Sequence, residues 1–296
     1  MKVLVTGASG FIGHQCCIQL CILGYEVHAV SSKNHTDDKI HWHKIDLLDE
    51  EQTLKLIRQI KPSHLLHLAW YAEPGEYWTS VKNYHWVKAS LTLFEEFEKA
   101  GGKRVVVAGS CAEYHWKYDN YIEDETPLYP HSLYGVCKHS LRLMLSSYAS
   151  LKKVSFAWGR IFSIYGPHEN PKRLFASVIQ SLLQGQEARC NNGALVRDYL
   201  HVEDVASAFV TLLDNDIEGP VNIASGIGIS LRTVVEKIEK KIGRYGLLTI
   251  NDSALTKNSP PIIVADTKRI RNTGWRQIYN IDRGIDDTIN WFKQNI

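Results

Sequence analysis

Through the first half of the chain, short apolar runs rich in Val, Ile and Leu alternate with stretches in which apolar residues return every three or four positions. The first kind predicts strands and the second predicts amphipathic helices. Val3 to Thr6 reads as a strand. Phe11 to Leu23 reads as a helix, because Ile12, Cys16, Leu20 and Leu23 share one face and Gly24 ends it. Strands follow at Val27 to Val30 and His41 to Ile45, then a helix at Glu50 to Ile60 with Leu54 and Ile57 turned inward and Pro62 past its end. Strands at His64 to Leu68, Val105 to Ala108 and Val154 to Phe162 alternate with helices at Val81 to Ala100, closed by Gly101 and Gly102, and at Ser132 to Tyr148. Such alternation is the pattern of right-handed βαβ crossovers in a parallel sheet.

Past Gly166-Pro167 the order loosens. A helix is predicted at Leu174 to Leu183, a loop at Gly185 to Arg197, a helix near Val205 to Leu213 and a short strand at Val221 to Ile223. Ser230 supplies an N-cap for a helix at Leu231 to Ile242, and the tail closes with a strand near Leu247 to Ile250 and a helix around Asp286 to Phe292. No internal repeat or low-complexity segment interrupts the pattern.

The chain of 296 residues, 44% hydrophobic, has room for two lobes or one large α/β domain. Its 34 Lys and Arg against 32 Asp and Glu leave it near neutral, which argues against nucleic acid or an anionic membrane as partner. There is no run of ~18 apolar residues and no basic-then-apolar leader, so the expected location is cytoplasmic, away from membranes. Cys16, Cys17, Cys21, Cys111, Cys137 and Cys190 lack C-x-x-C spacing and read as reduced thiols.

Gly7, Gly10 and Gly13 lie between the first strand and first helix, where absent side chains let the backbone approach a pyrophosphate at a helix N-terminus. Sites that bind NAD place an acidic residue after the second strand to hold the ribose 2′-hydroxyl. Here Ser31, Ser32 and Lys33 stand instead, a set suited to a 2′-phosphate, which points to NADP. Asp37 and Asp38 follow closely and keep NAD open. Tyr134 and Lys138 are four apart on one helix face, and a neighbouring ammonium is expected to lower the phenol from about 10 toward neutrality. Ser110 ends the fifth strand, at the edge where open α/β sheets bind ligands. His41 and His43 share a strand face, but no third ligand stands at suitable spacing, so no metal is expected. Trp70, Tyr71, Trp78 and Trp116 are expected to rim the cleft.

Four runs together resemble the extended short-chain dehydrogenase/reductases, the NAD(P)-dependent epimerases, dehydratases and reductases of nucleotide sugars. They are Thr6-Gly7-Ala8-Ser9-Gly10-Phe11-Ile12-Gly13, Ser110 with Tyr114, Tyr134-Gly135-Val136-Cys137-Lys138, and Arg197 to Asp204. A weaker match at Ala265-Asp266 and Gly274-Trp275 extends it. The resemblance implies a Rossmann-like doubly wound parallel sheet over 1–165, with 197–224 returning to it, and a smaller mixed α/β substrate lobe from 166–196 and 225–296. It implies that Ser110, Tyr134 and Lys138 are catalytic. Gly7, Gly10, Phe11, Ile12, Gly13, Asp46, Leu47, Leu68 and Ala69 would contact the cofactor, and Arg197 the nucleotide diphosphate.

Departures narrow the reaction. Dehydratases of the family carry Asp-Glu after the catalytic Ser or Thr, where Cys111 and Ala112 stand here. Ser163 replaces a substrate-binding Asn, and Trp86 aligns with the usual helix Asn. The expectation is an NADPH-dependent reductase of a nucleotide-linked 4-keto-6-deoxyhexose, serving surface polysaccharide or glycoside synthesis. An NAD-dependent nucleotide-sugar 4-epimerase is the alternative, and a non-catalytic dinucleotide sensor the rival from another class. A homodimer is expected through the helices at Val81 to Ala100 and Ser132 to Tyr148, with Arg197 and Lys257 as local cations for the anionic substrate.

Overall fold

The computed structural model describes residues 1–252 and 260–295. The elements run β1 (Lys2–Thr6), α1 (Phe11–Ile22), β2 (Glu26–Ser31), β3 (Ile40–Lys44), α2 (Glu50–Ile60), β4 (His64–His67), α3 (Lys82–Lys99), β5 (Arg104–Ser110), β6 (Asn120–Tyr121), α4 (Leu133–Lys152), β7 (Ser155–Ile161) and β8 (Ser163–Tyr165). They continue α5 (Leu174–Leu183), β9 (Ala188–Asn191), β10 (Val196–His201), α6 (Val202–Leu213), β11 (Gly219–Ile223), β12 (Gly228–Ser230), α7 (Leu231–Ile242), β13 (Leu248–Asn251), β14 (Ile262–Ala265), α8 (Lys268–Arg271) and α9 (Ile281–Asn295).

Seven strands pair in the order β11-β7-β5-β4-β1-β2-β3, every pair parallel. The order reverses beside β1, and helices cover both faces: the doubly wound Rossmann-like arrangement, with its ligand crevice at the carboxyl ends of the strands. Both faces are apolar, as a buried parallel sheet requires. Val3, Val5, Val27 and Ala29 pack with Cys16, Leu20, Val205 and Phe209 of α1 and α6 on one side. Leu4, Leu65, Val105 and Val107 pack with Leu56, Ile57, Phe94 and Leu141 of α2, α3 and α4 on the other.

A second sheet, β12-β10-β14-β6 with β8 on β10, stands over the strand ends, and β9 pairs with β13 in a small ribbon packed among α5, α7 and α9. The expected loop at Gly185 to Arg197 is therefore corrected: it holds β9 and the start of β10. β9 escapes the pattern because buried Ala188 and Cys190 alternate with exposed Arg189 and Asn191 over four residues only. In α2 the buried positions are Thr53, Leu56, Ile57 and Ile60, with Leu54 half-buried at the margin. Ser230 caps α7 as expected, accepting from the Thr233 amide.

Candidate active site

The glycine loop builds its surface from backbone. Gly7 takes φ +66°, and a Cβ there would sit 2.8 Å from the Ala69 amide nitrogen; one on Gly13 would sit 2.1 Å from the Gly7 carbonyl oxygen. Side chains are thus excluded from the N-terminus of α1, which Gly10 caps without a side-chain bond, and amides are left to face an anion. His67 fixes the neighbouring strand end, bonded to Thr6 Oγ1 at 2.6 Å and Ser90 Oγ at 2.8 Å. Burial holds its imidazole down to about 3, so it is neutral.

A cavity of about 1310 Å³ opens above this loop, lined by Gly7, Gly10, Phe11, Ile12, Gly13, Ser31, Ser32, Asp46, Leu47, Leu68 and Ala69 at one end. Lys33 is exposed and lies off the cavity wall. The Ser31 hydroxyl pairs with Ser9 Oγ and His35 Nε2, each at 3.0 Å, and accepts the Lys33 amide at 3.1 Å. Among the described residues no carboxylate takes this place at the end of β2.

Ser110 ends β5 and caps a single 3-10 turn, Cys111–Glu113. Its amide donates to Glu113 Oε1 at 2.8 Å, and the same oxygen accepts Trp158 Nε1 at 2.8 Å. Arg160 Nε meets the other oxygen at 3.1 Å, both side chains being fully buried. Only glycine fits at 109, since a Cβ would stand 2.0 Å from Trp158 Nε1. Glu113 therefore locks the turn that presents Ser110. Sequence reasoning missed it; its signal was a Glu and an Arg set within otherwise apolar segments.

Ser132 caps α4 by accepting the Gly135 amide. Gly135 brings that helix end against the turn, because a Cβ would lie 2.4 Å from the Ala112 carbonyl oxygen. This places the Tyr134 phenol on Ser110, whose hydrogen bond favours the phenolate. Burial among Trp70, Tyr77 and Trp78, with ring centroids 4.9–6.5 Å away, nevertheless raises it above its ordinary value. The expected lowering by Lys138 is corrected. Lys138 Nζ donates to the Ala108 carbonyl at 2.9 Å and sits 3.7 Å over the Trp70 ring, while burial drops its ammonium to about 7.

The far wall carries Ser163, Glu169, Arg173, Arg197 and Tyr199. Arg197 Nη1 donates to the Val196 carbonyl at 2.8 Å, and burial lowers its guanidinium from the ordinary value. Glu169, pushed up to about 8 by burial, and Arg173 were not singled out from sequence; their signal was a charged pair four apart just after Gly166-Pro167. Lys257 lies outside the described residues. Trp70, Trp78, Trp86 and Trp116 line the cleft, whereas Tyr71 does not. Asn83 shapes the loop above, its amide nitrogen donating to the Tyr77 and Ser80 carbonyls and its oxygen accepting Trp70 Nε1.

A doubly wound parallel sheet with a glycine cradle at its first crossover, and a Ser-Tyr-Lys set at the adjoining strand ends, defines a dinucleotide-binding protein of the short-chain dehydrogenase/reductase class. The NAD dependent epimerase/dehydratase family model matches residues 3–224, and the chain belongs to that family. A UDP-glucose 4-epimerase of Rhizobium meliloti (strain 1021) is 26% identical over 322 residues, 98% of this chain and 96% of the relative. A dTDP-4-dehydro-6-deoxyglucose reductase of Escherichia coli is 25% identical over 307 residues, covering 97% and 96%. Among solved structures, MoeE5 in complex with UDP-glucuronic acid and NAD superposes with a TM-score of 0.88 at 27% identity over 100% of both chains. Among the described residues no helix is long and apolar enough to cross a membrane.

Proposed function

We propose that the chain reduces the 4-keto group of a nucleoside-diphosphate-linked 6-deoxyhexose with NADPH, in the cytoplasm. The carrying observation is the end of β2, where the hydroxyls of Ser9 and Ser31 with His35 occupy the place of the carboxylate that selects a free ribose 2′-hydroxyl. A cofactor that exchanges each turnover suits a reductase; an epimerase recycles a retained one. NADPH, when bound, supplies hydride. The glycine loop, Asp46, Leu47, Leu68 and Ala69 would hold it, and the cradle that any Cβ would fill fits that group.

In this reading Tyr134 holds the proton delivered to the C4 oxygen, Ser110 orients that oxygen, and Arg197 pairs with the diphosphate. Dehydration lacks its acid and base. Burial raises the Cys111 thiol to about 12, so it stays protonated, and Ala112 offers nothing. Residues 1–165 with 197–224 would form the cofactor lobe and the rest the substrate lobe. The chain would pair through α3 and α4, where Tyr84, Val136, Leu143, Met144 and Leu151 are exposed apolar residues.

The test compares affinities for NADP+ and NAD+, and a clear NAD preference counts against the reductase. The UDP-glucose 4-epimerase relative and the NAD-bound solved structure support the second reading, an NAD-dependent 4-epimerase. Interconversion of UDP-hexoses without added cofactor would establish it in place of the first. Tyr134→Phe is expected to abolish turnover and spare cofactor binding; unchanged turnover would refute the role of Tyr134, and a wild type without turnover on any 4-keto or UDP sugar would favour a sensor.

A further inference from the structure

We propose that His28, His41 and His43 form a binding site for a divalent transition-metal ion at the open edge of the seven-stranded sheet, away from the cleft. The pair His41 and His43 lacks a third ligand along the sequence, and the sheet supplies it. β3 is the edge strand, and its parallel register on β2 sets His28 directly opposite His41. Positions 41 and 43 project to one face of β3, and the pairing puts His28 on that same face. The three rings stack there, with centroids 5.0 Å apart for His28 and His41 and 5.2 Å for His28 and His43.

Two of the three rings already present nitrogens to each other. His28 Nε2 meets Glu26 Oε1 at 3.0 Å, so that nitrogen carries the proton and Nδ1 presents a lone pair. A carboxylate holding the remote N–H of a ligating imidazole is the usual outer support of a metal site. His28 Nδ1 accepts the His43 Nε2–H at 2.9 Å, so an ion entering here takes the place of that proton and His43 carries its own on Nδ1. Tetrahedral bonds of about 2.0–2.1 Å place two ligand atoms about 3.3 Å apart, so to take the ion the two nitrogens part by a few tenths of an ångström and both rings turn by about 35° until their lone pairs converge. The His41 ring lies over His28 without a nitrogen in reach of both partners; it is exposed, and a change of rotamer brings it in as the third ligand. Three imidazoles suit Zn2+, Ni2+ or Cu2+ rather than Mg2+ or Ca2+. Lys2, 3.7 Å from Glu26, is the cation that faces the cluster and opposes the ion.

A second group, His201, Glu203 and Asp287, has ligand atoms within 4.8 Å of one another. It is less suited, because His201 Nδ1 accepts the Glu203 amide, which leaves the proton on the Nε2 that faces Asp287 at 3.3 Å. It provides the control. Zn2+ titrated calorimetrically into the full chain should bind at one equivalent. His41→Ala, at an exposed position, should weaken that binding at least ~10-fold, Glu26→Gln should weaken it, and Asp287→Asn should leave it unchanged. Co2+ in the same site should show ligand-field bands without thiolate charge transfer, which excludes the cysteines. Zn2+ binding that is absent, or that His41→Ala and His43→Asn leave at the wild-type affinity, would overturn the proposal.

Discussion

Replacing Lys138 by Met removes a cation that the fold holds at a cost. The side chain is 3% exposed, and burial brings its ammonium down from 10.5 to about 7. At about 1.4 kcal/mol per pH unit that gap sets about 5 kcal/mol against the folded state. The variant forfeits the bond to the Ala108 carbonyl and the contact with the Trp70 ring, together about 2–3 kcal/mol. The cofactor-free Met variant should then be more stable near pH 6.5 by about 2–3 kcal/mol, a rise of roughly 3–5 °C at an unfolding entropy of about 2.1 cal/mol/K per residue. The sign follows from the lowered folded-state value. The penalty is complete below pH 7, shrinks as pH rises toward 10.5 and is absent above, so the two proteins should cross near about pH 8.5–9. Urea unfolding of both proteins at pH 6.5, 8 and 9.5 measures this. A stability difference that does not change with pH, or a Met variant weaker at pH 6.5, would refute a buried, desolvated Lys138.

Glu113→Gln leaves the Arg160 charge buried without its partner and should cost about 3–5 kcal/mol in urea unfolding, with a loss of kcat as the Ser110 turn loosens. Adding Arg160→Met to that variant should restore part of the stability and none of the turnover. Leu143→Glu, on the exposed stripe of α4, should convert a dimer to monomer in sedimentation and lower the thermal midpoint by the lost linkage to dimerisation; a species of unchanged mass would count against pairing through that face.

The parallel sheet was legible because its strands are buried on both faces and its helices keep an apolar residue every three or four positions; Asp49 and Ser132 add side-chain caps to α2 and α4. Glu50 to Ile60, Leu174 to Leu183 and Leu231 to Ile242 were read to the residue. The second sheet was not, since β6, β8 and β12 span two or three residues, too few to show a period. Within the site, the glycines and the Tyr134-Lys138 spacing carry local geometric demands that a sequence displays. The behaviour of those groups depends on surroundings brought from elsewhere: the Trp70, Tyr77 and Trp78 rings that raise Tyr134, and the Ala108 carbonyl that claims Lys138. The third histidine beside His41 and His43 was hidden for the same reason, because strand register is a tertiary fact.

The packing of α1 on α6 bears on how the chain is made. Gln19 Nε2 reaches the Glu203 carbonyl at 3.1 Å, Tyr25 bonds Asp214 at 2.6 Å, and Cys16 and Leu20 are sealed by the helix that begins at Val202. The ribosome delivers that helix roughly 180 residues after α1, on the order of 10–40 s later. For that interval the nascent sheet exposes one oily flank, and a chain terminated before Val202 would keep it exposed. Chaperone occupancy during synthesis should therefore fall only once α6 has emerged, however complete the nucleotide cradle looks by then.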